Sequence, residues 1–357
     1  MSVRRKCSPS LVSWKRCEGF GVRKRSAHSY EEIARSSGVS ISTISRVINR
    51  SASVSPGMRG KVIAALREKG IDVASIDFEP LPRDDLFIFN VPTLKNPFYS
   101  PIIEAARIDA ERHGYHLLVS ENLLNAATVD GFLSLLRRTK ASGLVCVNSV
   151  SRPILRKIAG EIPMVCCCEG DNASGVPYVT IDDEAAAEDA VKYLLSLGRR
   201  RIALINGPEN FKYARARLKG YARALAAAGV EMDPSLIASV SADMDFEMAK
   251  AHAERMFSLD QRPDAFFCIS DVLASAAIKA AFSKGLDVPR DVAVVGFDNI
   301  QVAKIMRPSL TTVYQPTDQI GTLAVEMLLR ILKDGTDAVQ SVTLGAELII
   351  RESTVAY

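Results

Sequence analysis

The sequence predicts a small helical domain followed by a larger α/β body. The chain has 357 residues, which exceeds the usual length of one domain. Residues 1–70 carry 15 Lys and Arg against 4 Asp and Glu, whereas the rest of the chain carries 30 against 37. Beyond Leu86, short apolar runs alternate with amphipathic stretches of helical length. A basic head on a mildly acidic body indicates a polyanion, most simply nucleic acid, as the partner of the head.

Composition and motifs exclude several classes of protein. The chain is 48% hydrophobic and 24% charged, which is typical of a globular protein. No apolar run is long enough for a transmembrane helix or a signal peptide, so we expect a cytoplasmic protein without a membrane partner. We find neither of the glycine-rich phosphate-binding patterns and no nucleophile beside an oriented base. We therefore expect no catalysis and no cofactor.

The histidine and cysteine patterns argue against a metal site. Four histidines are present without an HExxH pattern. The seven cysteines include the adjacent residues Cys166–Cys168, which suit neither a disulfide framework nor a Cys-x-x-Cys zinc site. We expect reduced thiols, with at least one of the three cysteines buried. A redox-sensing role for this run is the open alternative.

Residues 1–28 are predicted to be a basic, disordered extension. They hold eight Lys and Arg against the single acid Glu18, and they show no helical or strand period. Two interpretations stay open. The extension is either a real arm or a misassigned start, since Val22 could be encoded by an alternative initiation codon.

Residues 29–71 predict a helix-turn-helix domain of three helices. Ser29 and Glu32 form a capping box for the first helix, and Gly38 permits a tight turn. Ser40 caps the second helix, and Ser55-Pro56 opens the third. The predicted buried stripe of the third helix is Met58, Val62, Ile63 and Leu66. The second helix of such a module enters the major groove of DNA.

The second helix has a polar face suited to DNA. Arg46 lies on that face and could bond the O6 and N7 atoms of a guanine or hold a phosphate. An ordinary small helical bundle with a polar surface is the structural alternative, and the basic charge favours DNA. The run YEEIARSSGVSISTISRVINRSASVSPGMRGKVIAALREKG, residues 30–70, resembles the DNA-binding head of LacI/GalR transcription regulators.

The resemblance to the LacI/GalR family implies specific DNA contacts. Ile41, Ser42 and Arg46 fall at the family's base-reading positions. Ser29, Ser40, Thr43 and Asn49 fall where the family contacts the DNA backbone. The expected partner is double-stranded operator DNA, and a homodimer suits a palindromic operator.

The body, residues 86–357, alternates strands with helices, which predicts parallel sheets covered on both faces. The predicted strands are 86–91, 115–119, 143–147, 163–167, 177–181, 201–205, 264–269 and 291–296. The predicted helices include 98–113, 183–197, 215–228 and 271–284. A body of this length favours two similar subdomains with a ligand cleft at the carboxyl ends of the strands.

The resemblance to LacI/GalR regulators continues through the body. It rests on NPFYSPIIEAA, on VTIDDEAAAEDAVKYLL, on VVGFDNIQVAKIMRPSLTTVYQP and on the closing ELIIREST. It implies a body like that of periplasmic binding proteins, with two parallel sheets. Its N-subdomain would comprise about 86–181 and 315–344, and its C-subdomain about 182–314 and 345–357.

The resemblance also implies an effector site in the cleft. The matching positions are Phe98, Tyr99, Arg217, Ser270, Asp271, Asp298 and Gln315. An aromatic face, one forked cation and carboxylates suit a polyhydroxylated ring, so a sugar or sugar derivative is the expected effector. From the residues alone, Arg217 could instead be a surface charge of a helix and Asp298 a turn residue.

The linker, residues 72–85, departs from the family pattern. Relatives carry a hinge that folds into a helix in the minor groove of DNA. Here the linker holds five acids and one base, and Pro80 and Pro82 oppose a helix.

From the head and the body together, we interpret the chain as a ligand-responsive DNA-binding regulator, by default a repressor. The alternatives are a small-molecule-binding protein with weak or no specific DNA binding and, less in keeping with the residues, an enzyme on the same scaffold.

Overall fold

The computed structural model describes residues 34, 35, 37–40, 56–68 and 85–355. The chain divides into two compact units, residues 1–81 and 82–357. Six of the DNA-contacting residues expected from the resemblance lie outside the described residues, namely Ser29, Ile41, Ser42, Thr43, Arg46 and Asn49. Residues 1–28 and almost all of the acidic linker, except its last residue, Asp85, also lie outside them.

The described part of the first unit contains the predicted glycine turn and the predicted third helix. Gly38 has a φ of +64°, and its N–H bonds the carbonyl of Ala34 at 3.0 Å. Such a left-handed conformation favours glycine because other residues carry a Cβ. Ser40, the predicted cap, is exposed.

The third helix of the head, α1, spans Pro56–Glu68. It buries Val62, Ala65 and Leu66. The predicted stripe was wrong at Met58, whose side chain is 49% exposed. Met58 lies in the first turn, where the buried face has not yet begun, and Ala65 takes a buried position that the sequence prediction omitted.

The N-subdomain of the second unit is built on a six-stranded parallel sheet with the order β11-β5-β4-β3-β1-β2. Its strands are β1 Asp85–Val91, β2 Tyr115–Glu121, β3 Gly143–Cys146, β4 Met164–Cys167, β5 Tyr178–Ile181 and β11 Val342–Leu344. Its helices are α2 Tyr99–Arg112, α3 Val129–Thr139, α4 Arg152–Ala159 and α10 Thr317–Asp334.

The C-subdomain has a second six-stranded sheet with the order β12-β10-β9-β8-β6-β7, in which only β12 runs antiparallel to its neighbour. Its strands are β6 Ile202–Asn206, β7 Ile237–Ser239, β8 Ala265–Cys268, β9 Ala293–Asp298, β10 Thr311–Tyr314 and β12 Glu347–Ile349. Its helices are α5 Asp183–Ser196, α6 Lys212–Ala227, α7 Phe246–Phe257, α8 Asp271–Ser283 and α9 Gln301–Ile305.

The chain passes between the two subdomains three times, between β5 and α5, between β10 and α10, and between β11 and β12. These three short crossing segments lie at one side of the two sheets. Together they form a hinge about which the two subdomains can rotate. Both sheets have helices on their two faces, so their central strands are apolar and fully buried. The predicted fold class, an α/β body of two parallel-dominated sheets, is confirmed.

A glycine brings two helices into close contact in each subdomain. A Cβ on Gly220 of α6 would overlap the carbonyl oxygen of Glu184 in α5. A Cβ on Gly321 of α10 would overlap the carbonyl oxygen of Ile102 in α2. The two halves therefore share the same packing device. Among the described residues, no helix is both long enough and apolar enough to cross a membrane.

Candidate functional site

A cavity lies between the carboxyl ends of the two sheets. The N-subdomain contributes loops that follow β1, β3 and β4 and the end of β5, and the C-subdomain contributes α5, α6 and the ends of β8 and β9. The lining residues are Asn96, Phe98, Tyr99, Val147, Cys168, Glu169, Thr180, Ile181, Asp183, Tyr213, Arg217, Met244, Ile269, Asp298 and Gln315. The lining thus combines apolar and aromatic side chains with convergent polar groups, as is usual for a small-molecule site.

Arg217 is the central cation of this cavity. Its side chain is buried on the inner face of α6, and its Nε and Nη2 atoms lie 2.9 Å and 2.8 Å from Asp183 Oδ1. Its Nη1 donates to the carbonyl of Ile269 at 2.7 Å. The guanidinium carbon lies 3.5 Å from the centroid of the Phe297 ring. These contacts hold the guanidinium in one orientation, which a forked donor needs in order to recognise a ligand.

Asp298 ends strand β9 and lies beside Arg217 at the cavity. Its Oδ1 accepts from Gln315 Nε2 at 2.7 Å and lies 3.9 Å from Arg217 Nη1. Asp298 has a φ of +106°, and Asn299 follows with a φ of +55°. This strained turn aims the carboxylate into the cavity rather than along the strand. Burial raises the pKa of Asp298 well above its usual range, and the Arg217 charge opposes that rise.

Two aromatic side chains come from the N-subdomain. Phe98 and Tyr99 follow β1 and begin α2, and their rings meet edge to face with centroids 5.7 Å apart. Asn96 Oδ1 accepts from the N–H of Phe98 at 3.1 Å, which fixes the loop. The two rings form an apolar face opposite the charged groups of the C-subdomain.

Five of the seven sequence-predicted effector residues line the cavity, namely Phe98, Tyr99, Arg217, Asp298 and Gln315. Ser270 and Asp271 do not. Ser270 caps α8 by accepting from the N–H of Val272 at 3.2 Å. Asp271 Oδ2 accepts from the N–H of Ile300 at 2.8 Å, and its Oδ1 accepts from the Thr312 hydroxyl. Both side chains point into the C-subdomain, where Asp271 joins β10 and the turn after Asp298 to α8.

Sequence reasoning missed Asp183, Glu169 and Tyr213. Asp183 directly follows β5 and begins α5, a position at which a carboxylate meets the ligand side of the sheet. Glu169 follows the cysteine run after β4. The signal that could have found both was an acid just after a predicted strand. Tyr213 lies in the first turn of α6, and its buried hydroxyl has no hydrogen-bond partner among the described residues.

In the described part of the chain, the Cys166–Cys168 run and His113 serve as packing or surface residues. Cys166 and Cys167 are buried and free, and Cys168 is free at the cavity wall. His113 Nδ1 lies 2.8 Å from the carbonyl of Asp109 at the end of α2. Within the described ranges, no group of three or more His, Cys, Asp and Glu residues is arranged to hold a metal ion.

The cavity is narrow. The space open to the centre of a water molecule is about 20 Å³, which is enough for a single water. In this arrangement the cavity has no room for a ligand the size of a sugar beside Arg217.

Comparisons with known proteins agree with this architecture. Residues 30–70 match the family described as "Bacterial regulatory proteins, lacI family", and residues 191–354 match a "Periplasmic binding protein-like domain". The "HTH-type transcriptional repressor CytR" of Escherichia coli (strain K12) is 33% identical over 343 residues, which cover 94% of this chain and 98% of that protein.

Two further relatives extend the comparison. The "HTH-type transcriptional regulator DegA" of Bacillus subtilis (strain 168) is 31% identical and covers 90% of this chain and 97% of its own length. The solved structure described as "transcriptional regulator CelR-cellobiose complex" superposes with a TM-score of 0.69 at 28% identity, over 92% of this chain and 100% of that one. These relatives are transcription regulators rather than enzymes. The chain belongs to the LacI family of bacterial transcription regulators.

Proposed function

We propose that this chain is an effector-responsive repressor that binds a palindromic operator as a homodimer in the cytoplasm. The observation that carries the proposal is the orientation of Arg217, which Asp183, the Ile269 carbonyl and the Phe297 ring hold beside Asp298 in the cavity. A buried guanidinium in one fixed orientation suits recognition of a small polar ligand.

The effector is a sugar or sugar derivative. The apolar face of Phe98 and Tyr99 suits the C–H face of a sugar ring, and Arg217 and Asp298 suit hydroxyl groups at its edge. The similar CelR structure holds the disaccharide cellobiose, which supports a carbohydrate in this fold.

Operator recognition belongs to the head. Ile41, Ser42 and Arg46 read bases, while Ser29, Ser40, Thr43 and Asn49 hold the DNA backbone. The match of residues 30–70 to the LacI family supports these assignments. A twofold dimer presents two such heads to a palindrome, with half-sites separated by about one helical turn.

Effector binding is coupled to DNA binding through the hinge that the three crossing segments form between the two subdomains. The narrow cavity has to open for a sugar and then close again on it, so each state of the cleft has its own arrangement of the two subdomains. In a dimer this difference changes the spacing of the two heads, which gives a coupling free energy between effector and operator.

The proposal is tested by selecting operator sequences from random duplex DNA with the full chain and then titrating them against a sugar panel in a gel-shift assay. We expect the selected duplexes to share a palindromic consensus sequence. We also expect at least one sugar to change the affinity of the chain for that sequence. Asp298→Asn should retain operator binding and lose the response, while the matched surface variant Asp130→Asn keeps both. Asp130 is exposed on α3 and pairs only with Lys157 among the residues described.

The main rival is a small-molecule-binding protein of the same fold with weak or no specific DNA binding. The five acids of the linker, residues 72–85, favour this rival because they would repel phosphates. The same experiment separates the two functions. A chain that binds a sugar but enriches no DNA sequence is the binding protein.

A further inference from the structure

The cavity is closed by contacts between the start of α6 and the N-subdomain. Glu169, in the loop after β4, lies opposite the first residues of α6 in the C-subdomain. Its Oε2 accepts from the N–H of Lys212 at 2.9 Å, and its Oε1 accepts from the N–H of Tyr213 at 3.3 Å. One carboxylate of the N-subdomain thus binds two backbone donors of the other subdomain.

Helix α6 needs this external partner. Its N-cap residue is Phe211, whose ring cannot accept a hydrogen bond from the first turn. The free N–H groups and the positive end of the helix dipole both favour an anion at this position. Glu169 supplies the acceptor from across the cleft, so the helix is capped only while the cleft is closed.

Three further contacts join the same surfaces. Lys212 Nζ donates to Thr180 Oγ1 at 3.3 Å and lies 5.7 Å from the centroid of the Tyr178 ring. Ser149 Oγ donates to the carbonyl of Asn210 at 2.5 Å. Because Thr180, Tyr178 and Ser149 belong to the N-subdomain, opening the cleft breaks all of these contacts together with those of Glu169.

The cavity is lined by more carboxyl groups than guanidinium groups. Three carboxyl groups face it, those of Glu169, Asp183 and Asp298. Arg217 carries the only guanidinium among the described lining residues. Arg217 is already paired with Asp183. Burial raises the pKa of Glu169 to about 7, and Lys212 and the two N–H groups oppose that rise. Burial thus disfavours the charged forms of Glu169 and Asp298, and an anionic ligand placed beside them would meet the same desolvation penalty.

We propose that Glu169 is a specificity-determining residue of the effector cleft, which fastens the cleft shut by capping α6 and excludes effectors that carry a phosphate or carboxylate. An anionic group at this end of the cavity would meet the Glu169 carboxylate and could reach the α6 N–H groups only by displacing it. A neutral or cationic effector instead supplies hydrogen-bond donors to Glu169 and Asp298 and a partner to the buried Tyr213 hydroxyl. This inference rests on the proposed function only in taking the cavity as the effector site.

The first test measures hydrogen exchange of the Lys212 and Tyr213 amides in the full chain without ligand. In Glu169→Ala we expect exchange at least about tenfold faster than in the wild type, because these donors lose their acceptor. Glu169→Gln keeps one carbonyl acceptor and should fall between the two. The control is Glu161→Ala, an exposed residue of the same subdomain that pairs with Arg137. Unchanged protection of both amides in Glu169→Ala would overturn the capping role.

The second test uses inorganic phosphate as the probe, at constant ionic strength against chloride. With the carboxylate removed, the α6 N–H groups and Lys212 are free to accept an anion. We expect 20 mM phosphate to raise the Tm of Glu169→Ala by at least about 2 °C more than that of the wild type or Glu161→Ala. Equal shifts in all three proteins would overturn the exclusion of anions. Neither test contains DNA, so a failure of operator binding leaves both readouts unaffected.

Discussion

The two walls of the cavity are built differently. On the C-subdomain wall, Arg217 is held by partners of its own half, namely Asp183, the Ile269 carbonyl and the Phe297 ring. The N-subdomain wall offers two aromatic rings and Glu169, whose hydrogen-bond partners lie in the opposite half. A ligand therefore meets one wall that is already organised and a second wall that is organised by closure. Binding to the first wall costs little reordering, whereas the second couples binding to movement of the subdomains.

The largest effect is expected from Arg217→Ala, which breaks the organised wall. It leaves Asp183 and Asp298 buried without their cation, so the free energy of unfolding should fall by about 3–5 kcal/mol. Urea denaturation measures the loss. Arg223→Ala, an exposed arginine of the same helix, should cost under about 1 kcal/mol. Similar losses in the two variants would mean that the C-subdomain wall is not stabilised by its ion pair.

A second comparison concerns the glycine contacts that the two subdomains share. Gly220→Ala and Gly321→Ala each place a Cβ against a backbone carbonyl of the neighbouring helix. We expect each variant to lose about 1–3 kcal/mol of unfolding free energy. Gly131→Ala in α3 is the control, because nothing lies within 4 Å of its Cβ position. It should stabilise the protein by up to about 1 kcal/mol. If Gly321→Ala left the free energy of unfolding unchanged while Gly220→Ala lowered it, the helices of the two subdomains would differ in how closely they pack.

Glu169→Gln tests the N-subdomain wall through the pH dependence of the free energy of unfolding. Burial in the closed cleft raises the pKa of Glu169 from 4.5 to about 7, with Asp183 adding to the rise and Lys212 opposing it. The folded protein therefore holds this proton more tightly than the unfolded chain does, and Glu169 costs stability as the pH rises from 4.5 through 7. Gln does not titrate. Relative to the wild type, the variant should gain about 1–2 kcal/mol between pH 4.5 and pH 8, after allowance for partial solvent screening. Parallel pH profiles of the two proteins in urea denaturation would contradict this expectation.

The smallest effect is expected from Ser270→Ala, which separates a scaffold residue from a ligand-binding one. Ser270 caps α8 behind the organised wall. Loss of the cap should cost about 0.5–1 kcal/mol in thermal or urea unfolding and leave the affinity of the chain for its effector unchanged. An effector affinity that falls tenfold with little loss of stability would place Ser270 at the ligand after all.

Periodicity predicted the long central elements better than the short edge elements. All eight predicted strands match observed strands to within two residues at both ends, and the largest shift is that of β9, which begins and ends two residues later than predicted. The missed strands are β7, β10, β11 and β12, each of three or four residues. Strands this short carry little apolar signal, and all of them except β10 lie at a sheet edge, as the half-buried Val342–Leu344 does. Their pairing is decided by the sheet that they complete.

Five of the seven positions that the family motifs assign to the effector site lie at the cavity. Phe98, Tyr99, Arg217, Asp298 and Gln315 meet at the cavity, although they are up to 217 positions apart in sequence. Ser270 and Asp271 occupy matching positions too, but their side chains turn inward to cap α8 and to bond Ile300 and Thr312. Motif matching locates a backbone position, whereas the direction of the side chain depends on neighbours that are distant in sequence.

The sequence by itself determined the class of this protein, because its basic helical head, strand–helix alternation and LacI motifs are local patterns that survive without any contact between distant segments. Only the tertiary structure decided how the cavity works. The capping of α6 by Glu169 joins residues 43 positions apart on opposite subdomains, and no periodicity or composition encodes that meeting. Burial, which exists only in the folded chain, raises the pKa values of Glu169 and Asp298. The chemistry of the cleft therefore arises from closure, and closure is a property of the assembled subdomains.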